Sequence, residues 1–281
     1  MYKIIKSERL NANTVLMLIE APRVAKKAEP GQFIILRIDE FGERIPLTVA
    51  DTNPADGTVT LIFQEAGKTT KVLGAMKADD HILDFVGPLG EPSPLEGYKK
   101  AAVIGGGLGI AIAYPQAKKL KQLGANVHFI AGFRNKDFII LEDEIKAVSN
   151  VAKIATDDGS NGTKGFVTDV LKELLDAGNQ YDVVIAIGPL PMMKFVSALT
   201  KSYGVKTIVS MCPIMIDGTG MCGGCRVTVG GEVKFACVDG PDFDGHQVDF
   251  DEAIRRLSYY KQKESVSLEK HQCKLEHFDK K

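Results

Sequence analysis

The 281 residues are enough for two domains and a small appendage. Apolar residues make up 44% and charged residues 25% of the chain, as in an ordinary folded protein. The formal net charge of −1 gives no reason to expect nucleic acid or an anionic membrane as a partner. No apolar run approaches the roughly 20 residues that a membrane span needs, and the first residues lack the apolar core of a signal peptide. We therefore expect a cytoplasmic protein that binds neither membrane nor nucleic acid.

Short β-strands separated by turn residues occupy the first part of the chain. Each is rich in β-branched or aromatic residues and is bounded by Gly, Pro, Asn or Asp. One helix, over 69–76, interrupts the strands. This pattern predicts a small antiparallel barrel over residues 1–97. The predicted strands cover 2–10, 14–22, 31–39, 44–51, 58–66 and 81–90.

Strands and helices alternate from Lys99 onward. Unbroken apolar strands that alternate with helical patterns predict a five-stranded parallel sheet, covered on both faces, over 98–210. Ligands of such sheets bind outside the carboxyl ends of the strands, where this chain places Gly-rich and polar residues. The predicted strands cover 101–107, 126–133, 151–158, 181–188 and 206–211, and the predicted helices 110–124, 141–149, 166–178 and 191–204.

The composition changes again after residue 210. Residues 211–248 are rich in Gly and Cys and too irregular for a hydrophobic core of their own. Residues 249–281 form a charged helical tail, which predicts either packing on the chain's own surface or contact with a partner. The tail has two apolar stripes, formed by Ile254, Leu257 and Tyr260 and by Leu268, Leu275 and Phe278.

Two motifs in the barrel region suit a phosphate-containing cofactor. An Arg side chain can hold a pyrophosphate through a bidentate fork, and a Thr hydroxyl can bond a ring carbonyl or nitrogen. A Gly turn followed by Thr at a helix start presents free N–H groups to a phosphate. Each motif alone also fits an edge strand or an ordinary helix cap. The residues are Arg44, Pro46, Leu47 and Thr48 on a strand, and Gly67, Lys68, Thr69 and Thr70 at the helix start.

Together these motifs resemble the FAD-binding pattern of the ferredoxin–NADP reductase superfamily. That pattern is Arg-x-Pro-[Tyr/Leu/Ile]-[Ser/Thr], followed by a helix that starts with Gly-x-[Thr/Ser]. The resemblance implies that FAD binds to the barrel. It places FAD at the motif residues and at the neighbouring Phe63 and Gln64.

A Gly-rich loop follows the first strand of the parallel sheet. By itself such a loop fits tight packing as well as phosphate binding, and it lacks the last Gly of G-x-G-x-x-G. The loop does resemble the Gly-Gly-x-Gly loop of the superfamily's nicotinamide domain, and residues after the later strands match as well. The resemblance implies a cofactor site formed by Gly106, Gly107, Gly109, Phe133, Arg134, Asp157, Asp158, Gly188, Pro189 and Met192.

The charges at these strand ends bear on which nicotinamide binds. Arg134 and Lys136 could receive the 2′-phosphate of NADP(H). Asp157 and Asp158 would repel that phosphate and could bond a free ribose diol. The sequence favours NAD(H) and leaves NADP(H) open.

Four of the five cysteines lie between positions 212 and 237. In a reducing compartment such a cluster points to a metal site rather than to disulfides. The run from Asp217 to Cys225 contains four Gly residues, which let the backbone wrap closely around an iron–sulfur cluster, and Cys237 follows after a short hairpin. Zinc is the alternative, but it needs four N or S ligands and the nearest His is His246.

This segment resembles the [2Fe–2S] motif Cys-Gly-x-Gly-x-Cys-x-x-Cys…Cys of dihydroorotate dehydrogenase electron-transfer subunits. Asp217 replaces the first Cys. The same replacement is found in the small subunits of NADH-dependent ferredoxin:NADP oxidoreductases, which this chain resembles over nearly its whole length. The implied cluster ligands are Asp217, Cys222, Cys225 and Cys237, whereas Cys212 and Cys273 lie outside the motif and are interpreted as inert.

The resemblance implies an electron-transfer subunit that connects NAD(H), FAD and a [2Fe–2S] cluster in a ferredoxin:NAD(P) oxidoreductase. It also implies a large flavin and iron–sulfur subunit as partner, contact with ferredoxin through that subunit, and electron bifurcation. No residue suggests a general base or nucleophile beyond the cofactors. A dihydroorotate dehydrogenase subunit is the nearest alternative, against which Asp217 counts. A zinc-stabilised nucleotide-binding module is a more distant one.

Overall fold

The computed structural model describes residues 1–278, with side chains over residues 1–270. The first region contains β1 (Tyr2–Asn11), β2 (Thr14–Glu20), α1 (Pro22–Ala25), β3 (Phe33–Arg37), β4 (Ile45–Asn53), β5 (Thr58–Gln64), α2 (Lys68–Ala75), β6 (His81–Ile82) and β7 (Asp84–Leu89). The second contains β8 (Lys100–Gly106), α3 (Gly109–Gln122), β9 (Asn126–Phe133), a 3₁₀ turn (Lys136–Phe138), α4 (Glu142–Val148), β10 (Val151–Thr156), α5 (Val167–Asp176), β11 (Val183–Ile187), α6 (Leu190–Ser202) and β12 (Thr207–Ser210). The remainder contains β13 (Arg226–Val229), β14 (Glu232–Phe235), β15 (Asp242–Asp244), α7 (Phe250–Ser258) and α8 (Lys261–Phe278).

The first region forms a seven-stranded antiparallel sheet in the order β6-β1-β2-β5-β4-β3-β7. The segment predicted as one strand over 81–90 divides at Leu83 into β6 and β7. β6 pairs with β1 at one edge of the sheet, and β7 pairs with β3 at the other. Residues 81–89 therefore connect the two edges and nearly close the sheet. The predicted small antiparallel barrel is confirmed.

The second region forms a sheet in the order β10-β9-β8-β11-β12-β15. Strands β8 to β12 are parallel, as predicted, and each of the four predicted helices is present. α3 and α4 share one buried core, and α5 and α6 share another, so helices cover both faces. The sixth strand, β15, was not predicted. It comes from the Cys-rich segment and pairs antiparallel with the edge strand β12.

The Cys-rich segment packs against both regions. Cys225 and Cys237 are buried in one core with Phe33 and Ile35 of the barrel strand β3. The same core contains buried residues of the sheet and of α5 and α6. The segment has no separate core, in agreement with its composition, because its apolar residues complete a core that the other regions share.

Helix α7 packs on the chain itself. Its buried residues are Phe250 and Ala253, whereas Ile254 of the predicted stripe is partly exposed and Tyr260 is half exposed. Asp251 forms an ion pair with Lys194 of α6, with 2.6 Å between Oδ1 and Nζ. Leu257 of the expected stripe does pack against the shared core, so the buried face combines Leu257 with Phe250 and Ala253 and leaves out Ile254 and Tyr260. The side chains of Leu275, Phe278 and Cys273 lie outside the described residues. Within residues 1–278, no helix is long and apolar enough to cross a membrane.

A buried carboxyl lies where β15 meets α3 and the segment after β7. Asp242 Oδ2 accepts a hydrogen bond from Ser93 Oγ at 2.6 Å and a long one from Gln116 Nε2 at 3.4 Å. Asp242 Oδ1 and Gln116 Oε1 are both shielded from solvent and have no partner among the described residues. Burial raises the pKa of the Asp242 carboxyl, although hydrogen bonds from Ser93, Ser210 and Gln116 oppose the shift. No charged group contributes to this shift.

We predict that Asp242→Asn stabilises the protein at alkaline pH. The unfolded carboxyl titrates near a pKa of about 3.9, and the folded one binds its proton more tightly, so stability is lost as pH rises between the two pKa values. The amide does not titrate, and it replaces the unpaired Asp242 Oδ1 with a donor beside the unpaired Gln116 Oε1, a gain of about 1–3 kcal/mol. Thermal midpoints of both proteins between pH 5.5 and 8.5 measure the difference. A wild type that is the more stable protein at the alkaline end would contradict the prediction.

Candidate functional site

The two barrel motifs meet in the structure. Arg44 directly precedes β4, where Thr48 pairs with Phe33 of β3. Thr69, in the first turn of α2, donates a hydrogen bond through Oγ1 to Glu43 Oε2 at 2.6 Å. This bond connects the residue beside Arg44 to the start of α2. The fold thus brings the Arg and the helix start together, as a pyrophosphate site requires.

The start of α2 has the features of a phosphate site. Thr70 Oγ1 accepts hydrogen bonds from the N–H groups of Ala66 and Gly67, each at 3.0 Å, and fixes the turn. The first N–H groups of a helix lack partners within the helix and carry its positive dipole end. Gly67 has a φ of −127°, and no protein atom lies within 4 Å of the position its Cβ would take. Since the fold itself does not demand glycine there, the open space suits a ligand.

The two residues predicted to bind FAD beside this site, Phe63 and Gln64, differ from each other in burial. Phe63 is completely buried in the barrel core, so packing accounts for its side chain. Gln64, the last residue of β5, is exposed. The strand alternation accounts for the difference, because successive side chains point to opposite faces.

A cleft of about 560 Å³ lies at the carboxyl ends of the parallel strands. Gly107, with a φ of +55° and no neighbour near its Cβ position, opens the cleft beside the start of α3. One charge of each sign, on Arg134 and Asp157, lies in the cleft. Seven of the ten residues predicted to bind nicotinamide line it, namely Gly106, Gly107, Phe133, Arg134, Asp157, Pro189 and Met192.

The other three predicted residues have different environments. A Cβ at Gly109 would lie 2.3 Å from the Ile187 carbonyl oxygen, so close packing of α3 on β11 requires this glycine. A Cβ at Gly188 would lie 2.8 Å from Met192 Cε. Asp158 accepts a hydrogen bond from the N–H of Ser160 and organises its own loop. None of the three lines the cleft.

Two aromatic residues of the cleft were not predicted from the sequence. Phe166 precedes α5 and is 62% exposed, and Phe195 on α6 is 64% exposed. Exposed rings of this kind offer flat apolar surfaces on which a base or nicotinamide ring can stack. The signal available in the sequence was an aromatic residue at a helix start after a Gly-rich loop.

The Cys-rich segment brings some of its predicted ligands together. Cys225 Sγ lies 3.2 Å from Cys237 Sγ, and both side chains are buried. Burial, followed by the neighbouring Cys225 thiol, raises the pKa of the Cys237 thiol to about 12. The Cys237 thiol therefore stays protonated until a metal displaces its proton. Cys222 is exposed at the end of the same loop.

Asp217 organises the loop that contains Cys222. Its carboxylate accepts hydrogen bonds from the N–H of Thr219 at 3.0 Å and the N–H of Cys222 at 2.6 Å. The N–H of Thr219, and then that of Cys222, lower the pKa of the Asp217 carboxyl. The four predicted ligands are not gathered into one set, since no three metal-ligating side chains of the described residues are close enough to hold a metal ion.

The donor set of this segment nevertheless fits an iron–sulfur cluster. The N–H of Gly220 donates to Cys237 Sγ at 3.2 Å and that of Gly224 to Cys222 Sγ at 3.5 Å. Such N–H groups directed at cysteine sulfur are characteristic of iron–sulfur sites. His246, the only histidine considered as a zinc ligand, is 3.1 Å from Thr200 Oγ1 on α6. The chemistry therefore favours iron and sulfide over zinc.

Comparison with known proteins agrees with this geometry. Residues 213–249 match the iron–sulfur cluster binding domain of dihydroorotate dehydrogenase B, and residues 103–198 match the oxidoreductase NAD-binding domain. A Thermotoga maritima relative, described as a dihydroorotate dehydrogenase B electron transfer subunit homolog, is 48% identical over 268 residues, which cover 95% of this chain and 94% of the relative. The chain belongs to this family of electron-transfer subunits.

Two further similarities extend over nearly the whole chain. An uncharacterized Clostridium beijerinckii protein from the adh 3′ region is 54% identical over 272 residues, 94% of this chain and 92% of the relative. A solved structure of an NADH-dependent reduced ferredoxin-NADP oxidoreductase, described in connection with flavin-based electron bifurcation, contains a chain that is 45% identical. The two chains superpose with a TM-score of 0.91, and the superposed part covers 96% of this chain and 98% of the chain in the solved structure.

The predicted class of protein is thereby confirmed. The chain is an NAD(P)H-dependent oxidoreductase subunit with the ferredoxin reductase fold, and it contains an NAD-binding domain and an iron–sulfur cluster binding domain. Relatives described as electron-transfer subunits imply a partner subunit. The zinc alternative is set aside by the match to an iron–sulfur domain.

We predict that Asp217, and not Cys212, is the fourth ligand of the cluster. A carboxylate is a harder donor than a thiolate, so Asp217→Cys should keep the cluster but change its midpoint potential and EPR signal. Asp217→Asn should release iron, although its amide oxygen can still accept the bond from the N–H of Thr219. Cys212→Ser should alter neither the potential nor the EPR signal. Iron analysis, EPR and redox titration provide the measurements, and loss of the cluster from Cys212→Ser would overturn the assignment.

Proposed function

We propose that this chain transfers electrons between NAD(H), FAD and a [2Fe–2S] cluster within a heteromeric ferredoxin:NAD(P) oxidoreductase. In the proposed division of labour, residues 1–97 bind FAD and residues 98–210 bind NAD(H). Residues 211–248 hold the cluster, and residues 249–281 contribute to contact with a partner. Bound FAD would take a hydride from the nicotinamide and deliver single electrons to the cluster.

One observation supports this proposal above the others. The cysteine pair Cys225 and Cys237 lies in the same packed core as Phe33 and Ile35 of the barrel. Phe33 pairs with Thr48, a predicted flavin residue, and the same core includes Leu190, which follows the cleft residue Pro189. Two assigned cluster cysteines thus share one core with neighbours of residues assigned to flavin and to nicotinamide, and the assigned nicotinamide residue Met192 packs against that core. Electron transfer between cofactors requires such proximity.

The cleft gives the chain's own residues distinct tasks in nucleotide binding. The N–H groups of Leu108 and Gly109 at the start of α3 would hold the pyrophosphate, since that of Gly107 already donates to the Gly132 carbonyl oxygen at 2.8 Å. Arg134 would bind phosphate or ribose oxygens, and Asp157 would accept hydrogen bonds from a ribose diol, which favours NAD(H) over NADP(H). Phe166 and Phe195 would shield the rings from water. Their exposure leaves the cleft open for exchange of the nucleotide.

The partner we propose is a large subunit that holds further flavin and iron–sulfur cofactors and contacts ferredoxin. The Thermotoga maritima relative and the ferredoxin-NADP oxidoreductase structure support a heteromeric assembly. Free cysteines that must remain available for a cluster support a cytoplasmic location, because thiols stay reduced there. A dihydroorotate dehydrogenase complex is the second candidate, supported by the match over residues 213–249.

The purified protein with its native cofactors provides the test of function. We expect flavin and iron–sulfur absorption, and we expect anaerobic NADH to bleach the flavin and to generate the EPR signal of a reduced cluster. Cys222→Ser is the matched control, since it should lose the cluster and keep flavin reduction by NADH. A colourless protein, or a flavin that NADH leaves oxidised, would exclude the proposed function. The identity of the co-purified large subunit separates the two candidate complexes.

The tail provides a separate prediction about the partner. Helix α7 is tied to the chain by Asp251 and by Glu252, which accepts a hydrogen bond from Thr228 Oγ1 at 2.5 Å. We therefore assign the partner contact to the part after α7, where Tyr259, Tyr260 and Val266 are exposed. Deletion of 259–281 should abolish co-purification of the large subunit and preserve the visible spectrum. Continued co-purification of the truncated chain would show that the tail serves only local packing.

A further inference from the structure

The loop that precedes and contains the first cluster cysteines contacts the barrel directly. We define residues 214–225 as the cluster loop. Arg44 donates a hydrogen bond through Nε to the carbonyl oxygen of Ile216 at 2.9 Å, across 172 residues of sequence. Ile216 immediately precedes Asp217, the predicted cluster ligand. The Arg assigned to the flavin pyrophosphate thus also holds the backbone of the cluster loop.

A second contact fixes the other side of Asp217. Gly218 is buried and has a φ of +75°. A Cβ at this position would lie 2.7 Å from Leu89 Cδ1 and 3.0 Å from Ile35 Cγ1, both in barrel strands. The cluster loop therefore approaches the barrel as closely as its backbone allows. Asp217 is therefore flanked on one side by Ile216, which accepts the hydrogen bond from Arg44, and on the other by Gly218, which packs against β3 and β7.

The guanidinium group of Arg44 can serve both roles at once. Its Nε is used by Ile216, whereas its two terminal nitrogens have no hydrogen bond or ion pair among residues 1–270. An Arg fork presents five N–H donors in a fixed plane, so it can hold a carbonyl through Nε and a phosphate through its terminal nitrogens. A Lys has the same charge but a single nitrogen, and it cannot reproduce this fixed arrangement.

We propose that Arg44 is a positioning residue for the cluster loop as well as a flavin ligand, so that FAD binding and retention of the cluster are energetically coupled. The coupling is reciprocal, because two ligands that order the same element increase each other's affinity. The proposal rests on the proposed function to the extent that it assumes FAD at Arg44. The contacts of Arg44 and Gly218 with their neighbours are independent of that assumption.

The first experiment follows iron release in Arg44→Lys. The holoprotein is mixed with an iron chelator at saturating FAD, and the rate of iron release is compared with that of the wild type. We expect Arg44→Lys to lose iron about three- to tenfold faster, the range that corresponds to one hydrogen bond. We also expect removal of FAD to accelerate release from the wild type more than from the variant. Equal release rates at saturating FAD would contradict the proposal.

The second experiment tests the coupling with a substitution in the cluster loop and measures FAD binding. Gly218→Ala forces a Cβ against Leu89 and Ile35 and should weaken FAD binding about three- to tenfold, although Gly218 belongs to the cluster loop. Gly231→Ala is the matched control. Gly231 also has a positive φ, of +82°, but it is exposed in the turn between β13 and β14, outside the cluster loop, and it does not pack against the barrel, because no described residue beyond its chain neighbours lies within 4 Å of its Cβ position. It should leave FAD affinity unchanged.

The outcomes separate this inference from the proposed function. A wild type that contains neither FAD nor a cluster would refute the proposed function itself. A wild type that contains both, with equal FAD affinity in Gly218→Ala and Gly231→Ala and unaltered iron release in Arg44→Lys, would refute only the coupling. Should Gly218→Ala fail to fold, Arg44→Lys decides alone. Its side chain is only half-buried, so this variant is expected to fold.

Discussion

Burial of the Cys225 and Cys237 pair in a core shared with barrel strand β3 is the constraint on which the rest of the structure depends. The two sulfur atoms are 3.2 Å apart, inside a core that also contains Phe33 and Ile35. Because protein interiors are close-packed, a shift of the barrel would displace the thiols as well. A segment of about forty residues that is too small for its own core gains order in this way. The same shared core brings the proposed flavin surface next to the proposed cluster surface.

Local pattern was sufficient to predict most of the fold, and the exceptions are non-local. The strands of the barrel and of the parallel sheet have alternating or continuous apolar runs, which depend only on neighbouring residues. Strand β15 has three residues and exists because β12 offers a free edge. The division of the last barrel strand at Leu83 is another example. It follows from closure of the sheet, which involves both β1 and β3.

Which predicted residues lie together could be inferred where the convergence of parallel strand ends applies. It could not be inferred where close packing between distant segments determines the residue. Strand ends of a parallel sheet converge, and seven predicted residues do line the cleft. Gly109 has to be a glycine because a Cβ there would clash with the Ile187 carbonyl oxygen, and only the three-dimensional structure reveals this contact. Phe166 and Phe195 resemble ordinary surface residues until the cleft is known. The bond from Arg44 to Ile216 joins residues too distant in sequence for any motif to reveal.

The order of the strands places the nucleotide cleft and the cluster segment at different positions of the sheet. The cleft follows β8 to β11, whereas the cluster segment follows β12 and returns to the sheet through β15 at the edge. A nicotinamide nucleotide has to enter and leave, and the exposed rings of Phe166 and Phe195 leave its cleft accessible. A resident cluster needs the opposite environment, because water at its thiolates favours loss of iron. The buried pair Cys225 and Cys237 provides it at the edge of the sheet that faces the barrel. The proposed sites of nucleotide exchange and of cluster protection therefore lie at different positions of one sheet, and the barrel shares its core with the cluster segment.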